Sequence, residues 1–103
     1  MARMLVTYKT PAGPAAFDKH YFKVHIPLAK KLPGIRKYEV SRGPVKTLAG
    51  GEAYMVAILT FDSVAAIKAA FASEAGGACA TDRQHFAPDP AQFQMFLFDE
   101  EEV

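Results

Sequence analysis

The chain has 103 residues, a length that suits one hydrophobic core but not two, so we expect a single domain over residues 1–103. Its 50% hydrophobic and 22% charged residues are typical of globular proteins, which excludes a disordered chain, and no apolar run approaches the roughly 20 residues of a membrane span. The net charge is only +1, and although ten of the twelve basic residues lie in residues 1–46, interleaving of the two halves would mix the charges, which argues against a nucleic-acid partner.

The N-terminal part of the chain predicts a strand that leads into a helix. Arg3–Lys9 is rich in strand-forming residues and alternates, with Met4 and Val6 on one face and Leu5 on the other. After a proline-containing turn, apolar residues recur at about 100° per residue, which is the period of an amphipathic helix. This apolar stripe consists of Phe17, Tyr21, Val24, Leu28 and Leu32.

Two prolines limit this first helix. Pro27 lies inside the apolar pattern and has no N–H group, so we expect the helix to kink, or to end and restart, near Ile26. Pro33 and Gly34 follow the last apolar residue and should stop the helix. The second half of the helix is therefore expected to be irregular.

The middle of the chain predicts a hairpin. Ile35–Arg42 alternates imperfectly, which favours an edge strand. Gly43–Glu52 contains three glycines and a proline and is typical of a long loop. Ala53–Phe61 then has the strongest strand pattern in the chain.

The C-terminal part predicts a helical region and a last strand. Asp62 and Ser63 can cap a helix over Val64–Ala72. Ser73–Phe86 is glycine-rich at its centre and can hold a second, short helix. A pair of prolines then breaks the chain, and Ala91–Asp99 supplies the final strand.

The predicted element order is βαββαβ, for which the usual arrangement is a four-stranded antiparallel sheet covered on one face by two helices, an α+β fold. Strands three and four carry apolar residues on both faces, as where Met55 and Leu59 alternate with Val56 and Ile58. One domain of this size cannot cover the second face, so we expect a symmetric homodimer whose sheets pack face to face. The alternative is that both strands are simply central in the sheet.

Catalytic signatures are scarce in this sequence. It contains no GxSxG, GxGxxG, P-loop or HExxH motif and no cluster of cysteines and histidines, so hydrolase, nucleotide-binding and zinc functions lack support and no cofactor or metal is expected. Cys79 is the only cysteine, which excludes an internal disulfide and favours a reducing, cytoplasmic location. It has no neighbour that would lower its pKa and is not expected to be a nucleophile.

Two of the three histidines lie on the predicted first helix. His20 and His25 flank its apolar stripe, at the boundary between core and solvent, where an imidazole can exchange a proton near neutral pH. His25 is the candidate catalytic residue, against the alternative of a structural histidine that seats the helix before Pro27, and His20 is a candidate ligand-binding residue. A separation of five residues should hold the two imidazoles apart around an α-helix, which argues against a shared metal site. Asp18 lies about two turns from His25, too far for direct pairing, and His85 is expected on the surface.

Three tyrosines form a second candidate set. Tyr8 at the end of the first strand, Tyr21 on the first helix and Tyr54 on the third strand could meet between sheet and helices. Together they would give a ligand-binding pocket with aromatic walls and phenolic hydroxyls. Core packing alone also explains each of them.

The stretch from Phe17 to Gly34, with the pattern HxPLAxxLPG intact from His25, resembles the EthD family of ethyl tert-butyl ether degradation-type proteins. The likeness continues over nearly the whole chain, at Tyr38, 61–63 (Phe-Asp-Ser), Ser73, Asp82 and Phe86. It implies a ferredoxin-like domain that pairs as a dimeric α/β barrel, in agreement with the two-faced strands.

The resemblance leaves the reaction open. The family's namesake accompanies a cytochrome P450 system for ether degradation, and the barrel is similar to that of muconolactone isomerases, small cofactor-free monooxygenases and polyketide-modifying enzymes. We therefore expect a small-molecule-binding protein of catabolic or secondary metabolism, with a cofactor-independent isomerase, cyclase or monooxygenase as the enzymatic form of this hypothesis. The alternative is a non-catalytic accessory protein or ligand carrier with a partner in an oxygenase system. An RNA-binding domain is a third class, but Ala53–Phe61 lacks the required RNP1 pattern.

Overall fold

The computed structural model describes all of residues 1–103. Four antiparallel strands form one sheet in the order β2-β3-β1-β4. The strands are Ala2–Tyr8 (β1), Lys37–Val40 (β2), Met55–Phe61 (β3) and Phe93–Asp99 (β4). The predicted α+β fold of βαββαβ order is confirmed, with β2 at an edge. Because β4 lies at the other edge, the alternative that strands three and four are both central is wrong for β4.

Helices cover one face of this sheet. The helix predicted over Val64–Ala72 is confirmed at both ends, whereas the helix after it has 13 residues and is not short. None of the helices has the length and apolar character that crossing a bilayer requires. The helical elements are Pro14–His20 (α1), a π-helical segment Tyr21–His25, Ile26–Ala29 (α2), Val64–Ala72 (α3), Glu74–Phe86 (α4) and a 3₁₀ turn Pro90–Gln92.

The first helical region is irregular around Pro27, as predicted. Between α1 and α2 the backbone N–H of Ile26 donates to the carbonyl of Tyr21, five residues earlier, instead of four. Proline has no N–H, and its ring collides with the carbonyl four residues before it in a regular α-helix, a clash that a widened π turn relieves. The helix ends at Ala29, before the predicted stop at residues 33–34. The backbone continues in tight turns, in which Lys31 and Leu32 donate to the carbonyls three residues earlier.

A serine caps each of the two C-terminal helices, and a glycine sets the distance between them. The hydroxyl of Ser63 accepts a hydrogen bond from the N–H of Ala66 at 3.0 Å, and Ser73 accepts one from Gly76 at 3.2 Å. A Cβ at Gly76 would lie 2.5 Å from the backbone of Phe71, so only glycine allows α4 to approach α3 this closely. This packing places the second half of α4 beside the π-helical segment.

The two faces of the sheet differ in their cover. On β1, Met4, Val6 and Tyr8 face the helices and are buried, whereas Leu5 points to the opposite, uncovered face. The pairing of the strands aligns three apolar side chains across this uncovered face. They are Ile58 on β3, Leu5 on β1 and Phe96 on β4. The outer face is therefore apolar, and Phe96 is 46% exposed on it.

Candidate functional site

A cavity of about 190 Å³ lies between the sheet and the helices. Its walls are mostly apolar, with side chains from β1, β3, β4, the first helical region and α4. An engineered cavity of about 150 Å³ in another protein accepts benzene, so this space suits a compound with one substituted ring. Its polar or titratable lining residues are Tyr8, Tyr21, His25, Tyr38, Cys79 and Arg83.

His25 lines this cavity, and one nitrogen of its ring is bound within the protein. Its Nδ1 lies 2.9 Å from Oδ2 of Asp82 and, because a carboxylate can only accept, the proton is assigned to Nδ1. In the neutral ring Nε2 is then an acceptor, and it forms no hydrogen bond within the protein. The imidazole ring stacks on the ring of Tyr21, with 5.4 Å between the ring centres, and meets the ring of Phe86 edge to face, with 4.6 Å between the centres.

The surroundings of His25 favour its neutral form. Burial lowers the pKa of the imidazole below its ordinary value, although the hydrogen bond to Asp82 acts in the opposite direction. The residue is only 8% exposed, which agrees with desolvation as the main cause. A neutral, oriented imidazole whose second nitrogen is free can accept a proton from a bound compound.

His20 binds the other oxygen of the same carboxylate. Its Nε2 donates to Oδ1 of Asp82 at 2.8 Å, so Asp82 receives two imidazole N–H groups although it is only 6% exposed. Burial disfavours the charged carboxylate, but these hydrogen bonds hold the pKa of Asp82 below its ordinary value. No cluster of three or more His, Cys, Asp or Glu side chains has the geometry to hold a metal ion.

The expectation that His20 and His25 would be held apart is wrong. It assumed α-helical geometry throughout, in which five residues correspond to about 140° of rotation beyond one full turn. The π-helical segment bonds each residue to the one five positions later, which brings such residues to nearly the same side. His20 does not line the cavity but lies behind Asp82.

Three phenols contribute hydroxyl groups to the lining of the cavity. The hydroxyls of Tyr21 and Tyr38 lie 2.7 Å apart, and the rings of Tyr8 and Tyr21 meet edge to face at 5.6 Å. Burial raises the pKa of Tyr38 to about 12, and burial raises the pKa of Tyr8 and Tyr21 as well. All three therefore stay protonated at neutral pH, and a phenol that keeps its proton can donate a hydrogen bond to a ligand oxygen.

Other residues singled out in the sequence lie outside the cavity. The hydroxyl of Tyr54 donates to both oxygens of Asp18 at 2.9 Å, and Tyr54 does not line the cavity. Asp18 therefore does not pair with His25, as expected. His85 is exposed on α4, with its ring 6.2 Å from that of His20.

Sequence reasoning did not assign Tyr38, Asp82 or Arg83 to the site. A local signal exists for Asp82 and Arg83, because their spacing from Cys79 and Phe86 places all four residues on one face of a helix. Cys79 lies on the cavity wall, where burial and then the charge of Asp82 raise the pKa of its thiol. The thiol is therefore protonated and unsuited to act as a nucleophile.

The sequence is similar to one described family and to a protein of its size. Residues 9–90 match the family model described as the EthD domain. A protein of Rhodococcus erythropolis, described as an uncharacterized 11.0 kDa protein in the thcB-thcC intergenic region, is 38% identical over 105 residues, which cover 100% of this chain and 98% of that protein.

Solved structures share the fold. The crystal structure of an ethyl tert-butyl ether degradation (EthD) family protein from Bacillus halodurans has a TM-score of 0.86 and 27% identity, covering 98% of this chain and 99% of that one. SnoaB, a cofactor-independent oxygenase from Streptomyces nogalater, has a TM-score of 0.68 at 18% identity, with 99% and 94% coverage. A dimeric ferredoxin-like protein of unknown function from Thermobifida fusca has a TM-score of 0.68 at 15% identity, with 94% and 88% coverage. The predicted ferredoxin-like fold is thereby confirmed.

Proposed function

Since the chain belongs to the EthD domain family, as its resemblance predicted, we propose that it binds a small, mainly apolar compound in the cavity and transfers a proton on it without a cofactor. His25 is the general base in this proposal. The observation that supports it is the bonding of His25, a residue that lines an apolar cavity, whose Nδ1 is bound to Asp82 while its Nε2 forms no hydrogen bond within the protein. Catabolic or secondary metabolism supplies compounds of this kind.

The proposed step is the abstraction of a proton from carbon next to a carbonyl group. Nε2 of His25 takes the proton, the electron pair of the broken C–H bond forms a carbon–carbon double bond, and the π pair of the carbonyl group moves to its oxygen, giving an enolate. The imidazolium that forms is stabilised by the carboxylate of Asp82, and the protonated hydroxyl of Tyr38 or Tyr21 can donate to the enolate oxygen. In an unsaturated compound whose double bond is conjugated with the enolate, return of the proton to the far end of the conjugated system completes an isomerisation. The enolate is also the form that attacks an electrophilic carbon in a cyclisation or reacts with dioxygen in an oxygenation.

The proposed assembly is a homodimer in which the uncovered sheet faces meet. Ile58, Leu5 and Phe96 form an apolar row across three strands, and such a face is typical of a protein interface. Two sheets packed face to face would bury this row on both protomers. The Thermobifida fusca protein of the same fold is described as dimeric, which supports the same arrangement here.

Hydrogen–deuterium exchange tests the proton transfer without knowledge of the natural substrate. The protein is incubated in D₂O with one-ring ketones and unsaturated lactones, and loss of the signal of the proton next to the carbonyl is followed by ¹H NMR. We expect the wild type to accelerate exchange for at least one compound and His25→Gln to reduce the acceleration by roughly 100-fold or more. His85→Gln changes an exposed histidine and is the matched control.

The outcome separates the enzyme from a ligand carrier. Equal acceleration by wild type and His25→Gln would rule out His25 as the base. Binding of these compounds without any exchange would instead support the non-catalytic accessory protein of an oxygenase system. In that case a pull-down with oxygenase components should identify the partner.

A further inference from the structure

One residue with a fixed positive charge lines the cavity, and the proposed proton transfer does not use it. Arg83 on α4 is the only lysine, arginine, aspartate or glutamate among the lining residues. Its guanidinium carbon lies 4.4 Å from the centre of the ring of Phe93, at the start of β4. Aromatic packing, and not a carboxylate, therefore holds the guanidinium of Arg83.

No acidic side chain neutralises Arg83. Arg83 takes part in none of the ion pairs of the protein. The one hydrogen bond of its guanidinium is a long contact of 3.4 Å to the carbonyl of Ala87. The neighbouring Asp82 is occupied, because each of its oxygens already accepts an N–H from His20 or His25. Most of the guanidinium donors are therefore free.

Arg83 also lies near the other polar groups of the site. After burial, which has the largest effect, its charge is among the influences that lower the pKa of His25. The same charge opposes the rise that burial causes in the pKa of Tyr8. The guanidinium charge is therefore within electrostatic reach of His25 and Tyr8, two residues that line the same cavity.

We infer that Arg83 is an anion subsite and that the compound bound in the cavity is a small cyclic carboxylic acid, its carboxylate held by the guanidinium and its ring among the apolar walls. The planar guanidinium matches a carboxylate in geometry, and the low polarity of the walls strengthens the pairing. A cavity of about 190 Å³ leaves room for one ring beside this group. The inference rests on the proposed binding in the cavity, but it does not depend on the proton transfer.

Matched pairs of acids and amides test this subsite. Affinities for benzoate, phenylacetate and cyclohexanecarboxylate, and for their uncharged primary amides, are measured by ligand-observed NMR titration. We expect the wild type to bind at least one acid about tenfold more tightly than the corresponding amide, because a charge-assisted hydrogen bond contributes a free energy of this size. Arg83→Gln should abolish this preference, and Arg83→Lys should keep part of it.

Two further readouts complete the test. His25→Gln should still prefer the acid over the amide, even if it no longer accelerates hydrogen–deuterium exchange. Failure of the proton transfer and failure of the anion subsite are therefore distinguishable. Thermal unfolding of Arg83→Gln and Arg83→Lys shows that both variants are folded. Equal affinity for every acid and its amide in the wild type, or a preference that survives in Arg83→Gln, would overturn the inference.

Discussion

His20 and His25 donate hydrogen bonds to the two oxygens of one carboxylate, at 2.8 and 2.9 Å, although they are five residues apart on one helical region. The π-helical segment between them makes this convergence possible. Such widened turns are frequent at functional sites. Here the turn brings His20 and His25 to the same carboxylate, that of Asp82 on α4.

Replacing Asp82 by asparagine should lower the free energy of unfolding by about 1–3 kcal/mol, because both hydrogen bonds lose their charged acceptor and the amide N–H₂ faces an imidazole N–H. Urea unfolding measures the change. Asp62→Asn is the control, since Asp62 is an exposed carboxylate paired with Arg36 and its loss should matter little. Equal losses in the two variants would contradict a special role for Asp82.

The stability of the wild type should fall as the pH drops below about 6.5, the ordinary pKa of histidine. Burial lowers the pKa of His25 in the folded state, so between the two pKa values the unfolded chain binds a proton that the folded chain does not. This contribution is fully present above pH 6.5 and is lost progressively as the pH falls toward the folded pKa. Thermal unfolding between pH 8 and 5 should show the decrease in wild type and in His85→Gln, but a smaller one in His25→Gln. An identical pH profile for all three proteins would contradict the assignment of this loss of stability to His25.

Two adjacent glycines of α4 should respond in opposite directions to alanine. A Cβ at Gly76 would lie 2.5 Å from the backbone of Phe71, whereas a Cβ at Gly77 would meet nothing within 4 Å. Gly76→Ala should therefore destabilise the protein by about 1–3 kcal/mol through overpacking. Gly77→Ala should stabilise it by up to about 1 kcal/mol, as expected for an exposed helix position. Urea unfolding distinguishes these outcomes, and a stable Gly76→Ala variant would show that α3 and α4 need not pack this closely.

A charge at Phe96 should separate the proposed dimer. Phe96 lies in the apolar row of the uncovered face, and a glutamate there would have to be buried without a partner between the two sheets. Sedimentation velocity should show a dimer for the wild type and a monomer for Phe96→Glu. Leu48→Glu is the control, because Leu48 is fully exposed in a loop away from the sheet. A wild type that sediments as a monomer at micromolar concentration would refute the proposed assembly.

Local signals were sufficient to predict most of the fold. The cap at Ser63 gave the start of α3, and Pro27 gave the position of the break in the first helical region. In contrast, the partner of His25 could not be predicted. The acidic residue nearest to it in sequence, Asp18, binds Tyr54, while Asp82 reaches His25 from 57 residues away.

The pairing of Asp82 with His25 could not be predicted because it depends on how α4 packs against the first helical region. The periodicity of a sequence does not indicate how two helices are placed relative to each other. The tyrosines show the same limit. Tyr38 faces the cavity because its strand pairs it with Leu59, a register that sequence alone did not fix. Tyr54 precedes β3 and reaches α1 instead.

Successive residues of β1 serve the two sides of the sheet. Val6 lines the cavity, and its neighbour Leu5 lies on the uncovered face where a second protomer is proposed to pack. Any adjustment of the strand that accompanies pairing therefore reaches the cavity directly, through a single peptide unit. Thermodynamic reciprocity then requires that a ligand that tightens the dimer is itself bound more tightly by the dimer than by the monomer, by the same factor. Cavity occupancy would in that case depend on the concentration of the protein as well as on that of the ligand.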